Sequence, residues 1–159
     1  MTSSRGRLAE ALALDQQGRL AEAAAMYREA LAREPRNPDA LHSLGVAIAR
    51  MGRPNDAAGL IAAAIEIQPA NPAMRANLGN VLSELGRHAE AIAHYDSAVA
   101  LQPDFAAAFR GRAKALLAKP APSVTDIGLT IGFSETSSFS AAFRKVTGFT
   151  PTGYHRSLG

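Results

Sequence analysis

Side chains suited to covalent or proton-transfer chemistry are sparse in this chain. Its 159 residues include four histidines, His42, His88, His94 and His155, and no cysteine. Without cysteine there are no thiol nucleophiles, thiolate metal ligands or disulfides, a composition compatible with a reducing compartment. His88 and His94 stand six residues apart, which does not put two ligands on one helical face. No Gly-rich phosphate loop, G-x-S-x-G or H-E-x-x-H occurs, and no paired acids fall in a pocket-forming segment. Catalysis is not expected, and neither is a cofactor or a metal. What remains is recognition by charge and hydrogen bonding.

Charge is unevenly placed. Residues 1–105 hold ten Arg and twelve Asp or Glu, a net −2, whereas residues 106–159 hold seven Lys or Arg against two acids, a net +5. A basic module on a mildly acidic body predicts a polyanionic partner for one end only. The longest run free of charged or polar side chains, Ala57–Ile65, is far too short to span a membrane. The opening MTSSRGRLAEALALD has no apolar core of the secretory kind. These features predict a soluble, cytoplasmic protein with no membrane partner.

The elements that would position the basic groups are legible from local pattern. Ser123 can cap a helix carrying Asp126 in its first turn, and Val124, Ile127 and Ile131 then share one face. Gly132-Phe133-Ser134 reads as a short turn, with Ser134 as the next N-cap. In the second helix Phe139, Ala142, Phe143 and Val146 fall on the inner face, and Ser137, Ser140, Ala141 and Arg144 on the outer, with Thr136 at the first turn. Gly148 would end that helix, and Pro151 would begin a last short one bearing Tyr154, His155, Arg156 and Leu158. This is a helix-turn-helix pattern.

Upstream, the chain repeats itself. Leu44/Leu78, Gly45/Gly79, Gly52/Gly86, Ala57/Ala91, Ala64/Ala98 and Pro69/Pro103 are each 34 residues apart, and Ala11, Gly18, Ala23, Ala30 and Pro35 extend the series backwards. Phe109, Ala113 and Leu116 extend it forwards until Pro120. With 34 alanines in the chain, the pattern predicts helices near 5–17, 20–33, 38–51, 54–67, 72–85, 88–101 and 105–118. The turns are expected at Gly18, Gly52 and Gly86.

The 34-residue unit, with its Leu-Gly pair and its Ala, Ala, Pro series, resembles the tetratricopeptide repeat. That resemblance implies a solenoid of helical hairpins with a concave groove for a protein partner or for self-association. The groove positions in this chain would be His42, Val46, Ala76, Asn77, Asn80 and Glu84, with Leu8 and Leu12 in the first repeat. Relatives that clamp peptide carboxylates add lysines, which are missing here. The segment from Arg110 onwards resembles the end of AraC/XylS-type transcription regulators, through I-G-L-T-I-G-F, S-S-F-S-A-A-F-R-K and G-F-T-P-T-G-Y. This second resemblance implies binding to double-stranded DNA, with Thr136, Ser137 and Ser140 near base edges and Arg144, Lys145 and Arg156 on phosphates. The family often has Arg where this chain has Ala141, and its domain carries two helix-turn-helices where this segment shows one.

The expected architecture is all-α, a tetratricopeptide-like helical hairpin solenoid followed by a small helix-turn-helix unit. Residues 1–104 form repeats (about 4–37, 38–71 and 72–105), residues 105–119 a junction helix shared by both parts, and residues 120–159 the helix-turn-helix. Two functions follow from these expectations. One is sequence-selective DNA binding in transcription control, with the repeats making protein contacts. The other is a repeat scaffold whose C-terminal helices only cap the stack.

Overall fold

The structure, a computed structural model, describes residues 3–118 and 136–148, and these are helical with no strand among them. Seven helices come in close succession: α1 (Ser4–Gln16), α2 (Leu20–Arg33), α3 (Pro38–Arg50), α4 (Pro54–Ile67), α5 (Pro72–Glu84), α6 (His88–Leu101) and α7 (Ala106–Leu117). An eighth, α8, runs over Thr136–Thr147. The helix expected from Ser123, the turn at Gly132-Phe133-Ser134, the last helix from Pro151 and Arg156 all lie outside the described residues.

Each hairpin is built by the same local devices. Gly18, Gly52 and Gly86 have φ of 78°, 79° and 75°, the left-handed conformation in which a side chain is strained. Behind each glycine the next amide reaches back to close the preceding helix. Arg19 N donates to Leu14 O, Arg53 N to Ile48 O and Arg87 N to Leu82 O, at 2.9, 3.1 and 2.9 Å. Asn37 and Asn71 open α3 and α5, each accepting through Oδ1 from the amide three residues on, and proline follows at the first helical position. Phe105 opens α7 with no side-chain cap, so that helix start is held by packing instead.

The core repeats as the sequence does. Tyr27, Ile61 and Tyr95, one from each second helix, are buried to 1%, 0% and 1% exposure. Gly45 and Gly79 let Ile61 and Tyr95 approach closely. A methyl group on Gly45 would meet Ile61 Cγ1 at 2.6 Å, and one on Gly79 would meet Tyr95 Cε1 at 2.7 Å. Helices α1, α3, α5 and α7 adjoin one another in sequence along the stack, so they form its inner wall.

Helix α7 packs on α5 and α6 and also on α8. Ala108, Ala113, Ala115, Leu116 and Leu117 are buried in it, whereas α1 at the other end buries only Ala11 and Asp15. Phe143, 1% exposed, brings α8 into the same continuous core. Gly148, with φ 78°, closes α8, and its amide donates to Arg144 O at 2.8 Å.

Candidate interaction surfaces

The groove residues gather along the inner wall. Val46, Asn77, Asn80 and Glu84 line one cleft of about 160 Å³ between α3 and α5, together with Ala49, Arg50 and Val81. The Asn77 side-chain amide donates to His42 Nε2 at 2.9 Å, bridging the two helices on the groove side. That bond requires Nε2 to be unprotonated, and burial pushes the His42 pKa down in the same direction, opposed by Asp39. Asn80 Oδ1 accepts from the Tyr95 hydroxyl at 2.7 Å. Burial, with the Glu84 carboxylate adding to it, pushes that phenol up to about 12, so it stays a donor.

Ala76 corrects the expected groove. It is only 3% exposed, because α5 has a first helix on each side and a single methyl group lies beneath its larger neighbours. Leu12, by contrast, is exposed. Arg50 was missed by spacing alone. It pairs with the buried Asp15 of α1, tying the first repeat to the second and placing its cation at the cleft rim.

The second surface is on α8. Ala141, Arg144 and Lys145 are exposed, Phe143 is buried and Val146 is half-buried, which is the facing the helical pattern predicts. Thr147 Oγ1 donates to Phe143 O at 2.7 Å, satisfying a carbonyl near the helix end. Thr136, Ser137 and Ser140 belong to the same helix, but their side chains lie outside the described residues. Among the described residues, His88 and His94 form no shared site. His88 Nδ1 is 3.4 Å from Ser83 Oγ, while His94 is half-buried with its pKa lowered first by burial and then by Arg75.

Comparison with known families follows this geometry. A tetratricopeptide repeat model matches residues 8–72, a second repeat model of the same kind matches 79–119, and a helix-turn-helix domain model matches 105–157. The chain therefore carries tetratricopeptide repeats over residues 8–119 and an AraC/XylS-type helix-turn-helix domain at 105–157. Both are non-catalytic domains, one a protein-interaction fold and the other a DNA-binding fold.

No curated protein sequence matches the chain. Among solved structures it is similar to a mutant of the Thermobaculum terrenum O-GlcNAc transferase, with TM-score 0.78, 23% identity, and 91% of this chain covered. The chain spans only 27% of that protein, so the likeness concerns the repeat fold and not the transferase activity. It is also similar to MamA, with TM-score 0.75 at 18% identity over 91% of this chain and 82% of that one. A third similar structure is the first repeat domain of Spaghetti (RPAP3) bound to an HSP90 peptide, with TM-score 0.70, 19% identity, and 72% and 91% covered. No helix among the described residues is long and apolar enough to cross a membrane.

Proposed function

We propose that this protein is a cytoplasmic DNA-binding regulator in which α8 enters a major groove and the repeats hold a protein partner or a second copy of the chain. Thr136, Ser137 and Ser140 contact base edges in this reading, and Arg144, Lys145 and Arg156 contact phosphates. The observation that carries it is the division of α8 into two faces. Phe143 anchors one face to the body of the protein, and Arg144 and Lys145 stand exposed beside Ala141 on the other.

In this reading helix α7 belongs to both parts, so the DNA-binding unit and the repeats share a helix. Two facts support this. The repeat and helix-turn-helix models overlap at residues 105–119, and α7 packs on α5 and α6 of the repeats as well as on α8. The groove at His42, Val46, Asn77, Asn80 and Glu84 would take an extended or helical peptide. The missing lysines argue against the carboxylate-clamping mode.

The test is fluorescence anisotropy of labelled duplex DNA at low and near-physiological salt. Steep salt dependence with a surviving preference among sequences is expected. Substituting Arg144→Ala with Lys145→Ala should weaken binding equally across sequences and flatten the salt slope, whereas Ser137→Ala should change preference between sites. An unchanged slope sinks the phosphate assignment. A second reading, in which α8 only caps the stack, is favoured by the burial of Phe143 in the common core. No binding at either salt would leave that reading standing alone.

A further inference from the structure

Helix α7 exposes two cations that the DNA-binding reading above does not use. Arg110 and Lys114 are four residues apart, hence on one face, and both are exposed. Neither makes an ion pair among the described residues, although Arg112 between them is tied to Asp96 of α6. Along the repeats the arginine that precedes each second helix is neutralised by an acid three residues on. Arg19 pairs with Glu22, Arg53 with Asp56 and Arg87 with Glu90.

No acidic residue occurs in 105–118 or in 136–148; in sequence, Asp104 directly precedes the first stretch and Glu135 the second. Helices α7 and α8 pack directly on one another, which puts their axes about 8–10 Å apart. That separation is small beside the reach of two long cationic side chains and beside the width of a duplex. Arg110 and Lys114 are thus exposed cations on a helix that packs directly against the one bearing the exposed Arg144 and Lys145.

We infer that the DNA-contacting surface extends onto α7, where Arg110 and Lys114 bind phosphates flanking the groove entered by α8. This rests on the DNA-binding reading and deepens it, because it assigns phosphate contacts to a helix that also closes the repeat stack. The occupant is the backbone of double-stranded DNA, chosen by charge complementarity and by continuity with α8. Contacts of this kind add affinity and orientation but no sequence preference.

The experiment compares the full chain with two variants, Arg110→Ala/Lys114→Ala and Arg144→Ala/Lys145→Ala, by DNA anisotropy over a salt series. Alanine keeps both helices intact, which unchanged circular dichroism and melting would verify. Each lost phosphate contact lowers the slope of log affinity against log salt by about 0.9, so the α7 variant should lose roughly 1.8, with site preference unaltered. If the α8 variant flattens the slope and the α7 variant does not, this inference fails and the DNA reading survives. If the unsubstituted chain shows no salt-dependent DNA binding, both fail together. A change in site preference in the α7 variant would also overturn the phosphate assignment.

Discussion

Tyr95 is wedged between two glycines of different repeats. A methyl group on Gly79 would meet its Cε1 at 2.7 Å, and one on Gly111 would meet the same atom at 2.5 Å. The first contact closes a hairpin within the third repeat. The second seats α7, the helix that adjoins α8, against the end of the stack. The positions 34 and 68 residues before Gly111 are Asn77 and Ser43, so this glycine is not part of the repeated pattern.

Gly111→Ala is expected to destabilise the protein. Alanine gains about 1 kcal/mol in helix propensity, but overpacking costs about 1–3 kcal/mol. The ring cannot step aside cheaply, since Tyr95 is 1% exposed and its hydroxyl is bonded to Asn80. Gly59→Ala is the control. Nothing lies within 4 Å of a Cβ there, so about 0.5–1 kcal/mol of gain is expected. Urea midpoints moving in opposite directions would bear this out, and a stabilised Gly111 variant would refute the wedge.

Phe143→Ala should loosen α8 more than anything else. Removing a buried phenylalanine costs about 3–5 kcal/mol. In a stack where each unit contacts only its neighbours, the loss should stay at the last interface. Hydrogen exchange is expected to speed up in 136–147 while α1–α6 keep their protection. DNA affinity should fall with it. Undiminished protection of α8 would show that Phe143 is not its anchor.

Stability should decline as pH falls below the ordinary histidine value of 6.5. Burial lowers the pKa of both His42 and His94 in the folded chain, so the unfolded chain binds more protons in that window and gains from acidification. Above it both states are neutral and the effect vanishes. The lowered carboxylates Glu22 and Glu90 act only below their ordinary value of 4.5, so they do not contribute here. Melting temperature followed from about pH 8 to about pH 5.5 should be flat and then fall, and His94→Gln should reduce the fall. A melting temperature that rises on acidification would contradict the burial of these rings.

The Asp15–Arg50 pair should behave as a partly buried ion pair. Asp15 is 7% exposed, whereas the Arg50 side chain is 47% exposed. Arg50→Met strands the carboxylate and is expected to cost about 1–3 kcal/mol. Replacing both, as Asp15→Leu with Arg50→Met, should recover most of that loss. A double variant no more stable than the single would mean that the pair contributes more than its desolvation costs.

Much of the fold was legible because it is local. A glycine two residues past the end of α1, α3 or α5, an Asn-Pro at the start of α3 or α5 and a glycine sixteen positions ahead of Tyr95 or Ile61 each act over a short stretch of chain. Spacing therefore placed all seven repeat helices to within about two residues, inside the usual ambiguity of helix ends. The outer face of α8 was legible for the same reason, since Arg144 and Phe143 differ by one residue and so by 100° of helical rotation.

The site was only partly legible. Val46, Asn77, Asn80 and Glu84 do line one cleft, but Ala76 is covered, and Arg50 enters through a partner on α1. Spacing within a helix says which side chains share a face. It does not say how far the neighbouring helices advance over that face.

The sequence by itself determined the repeat period, the helix starts and stops, the all-helical class and the concentration of basic charge towards the C-terminal end, because each depends on residues close together in the chain. The tertiary structure decided that α7 packs on α8 as well as on α5 and α6, that Phe143 seals α8 to the common core, that Asp96 neutralises Arg112 and that Arg110 and Lys114 make no ion pair among the described residues. Those outcomes depend on the relative placement of helices far apart in sequence, which packing of Tyr95 against Gly111 sets and no spacing rule contains.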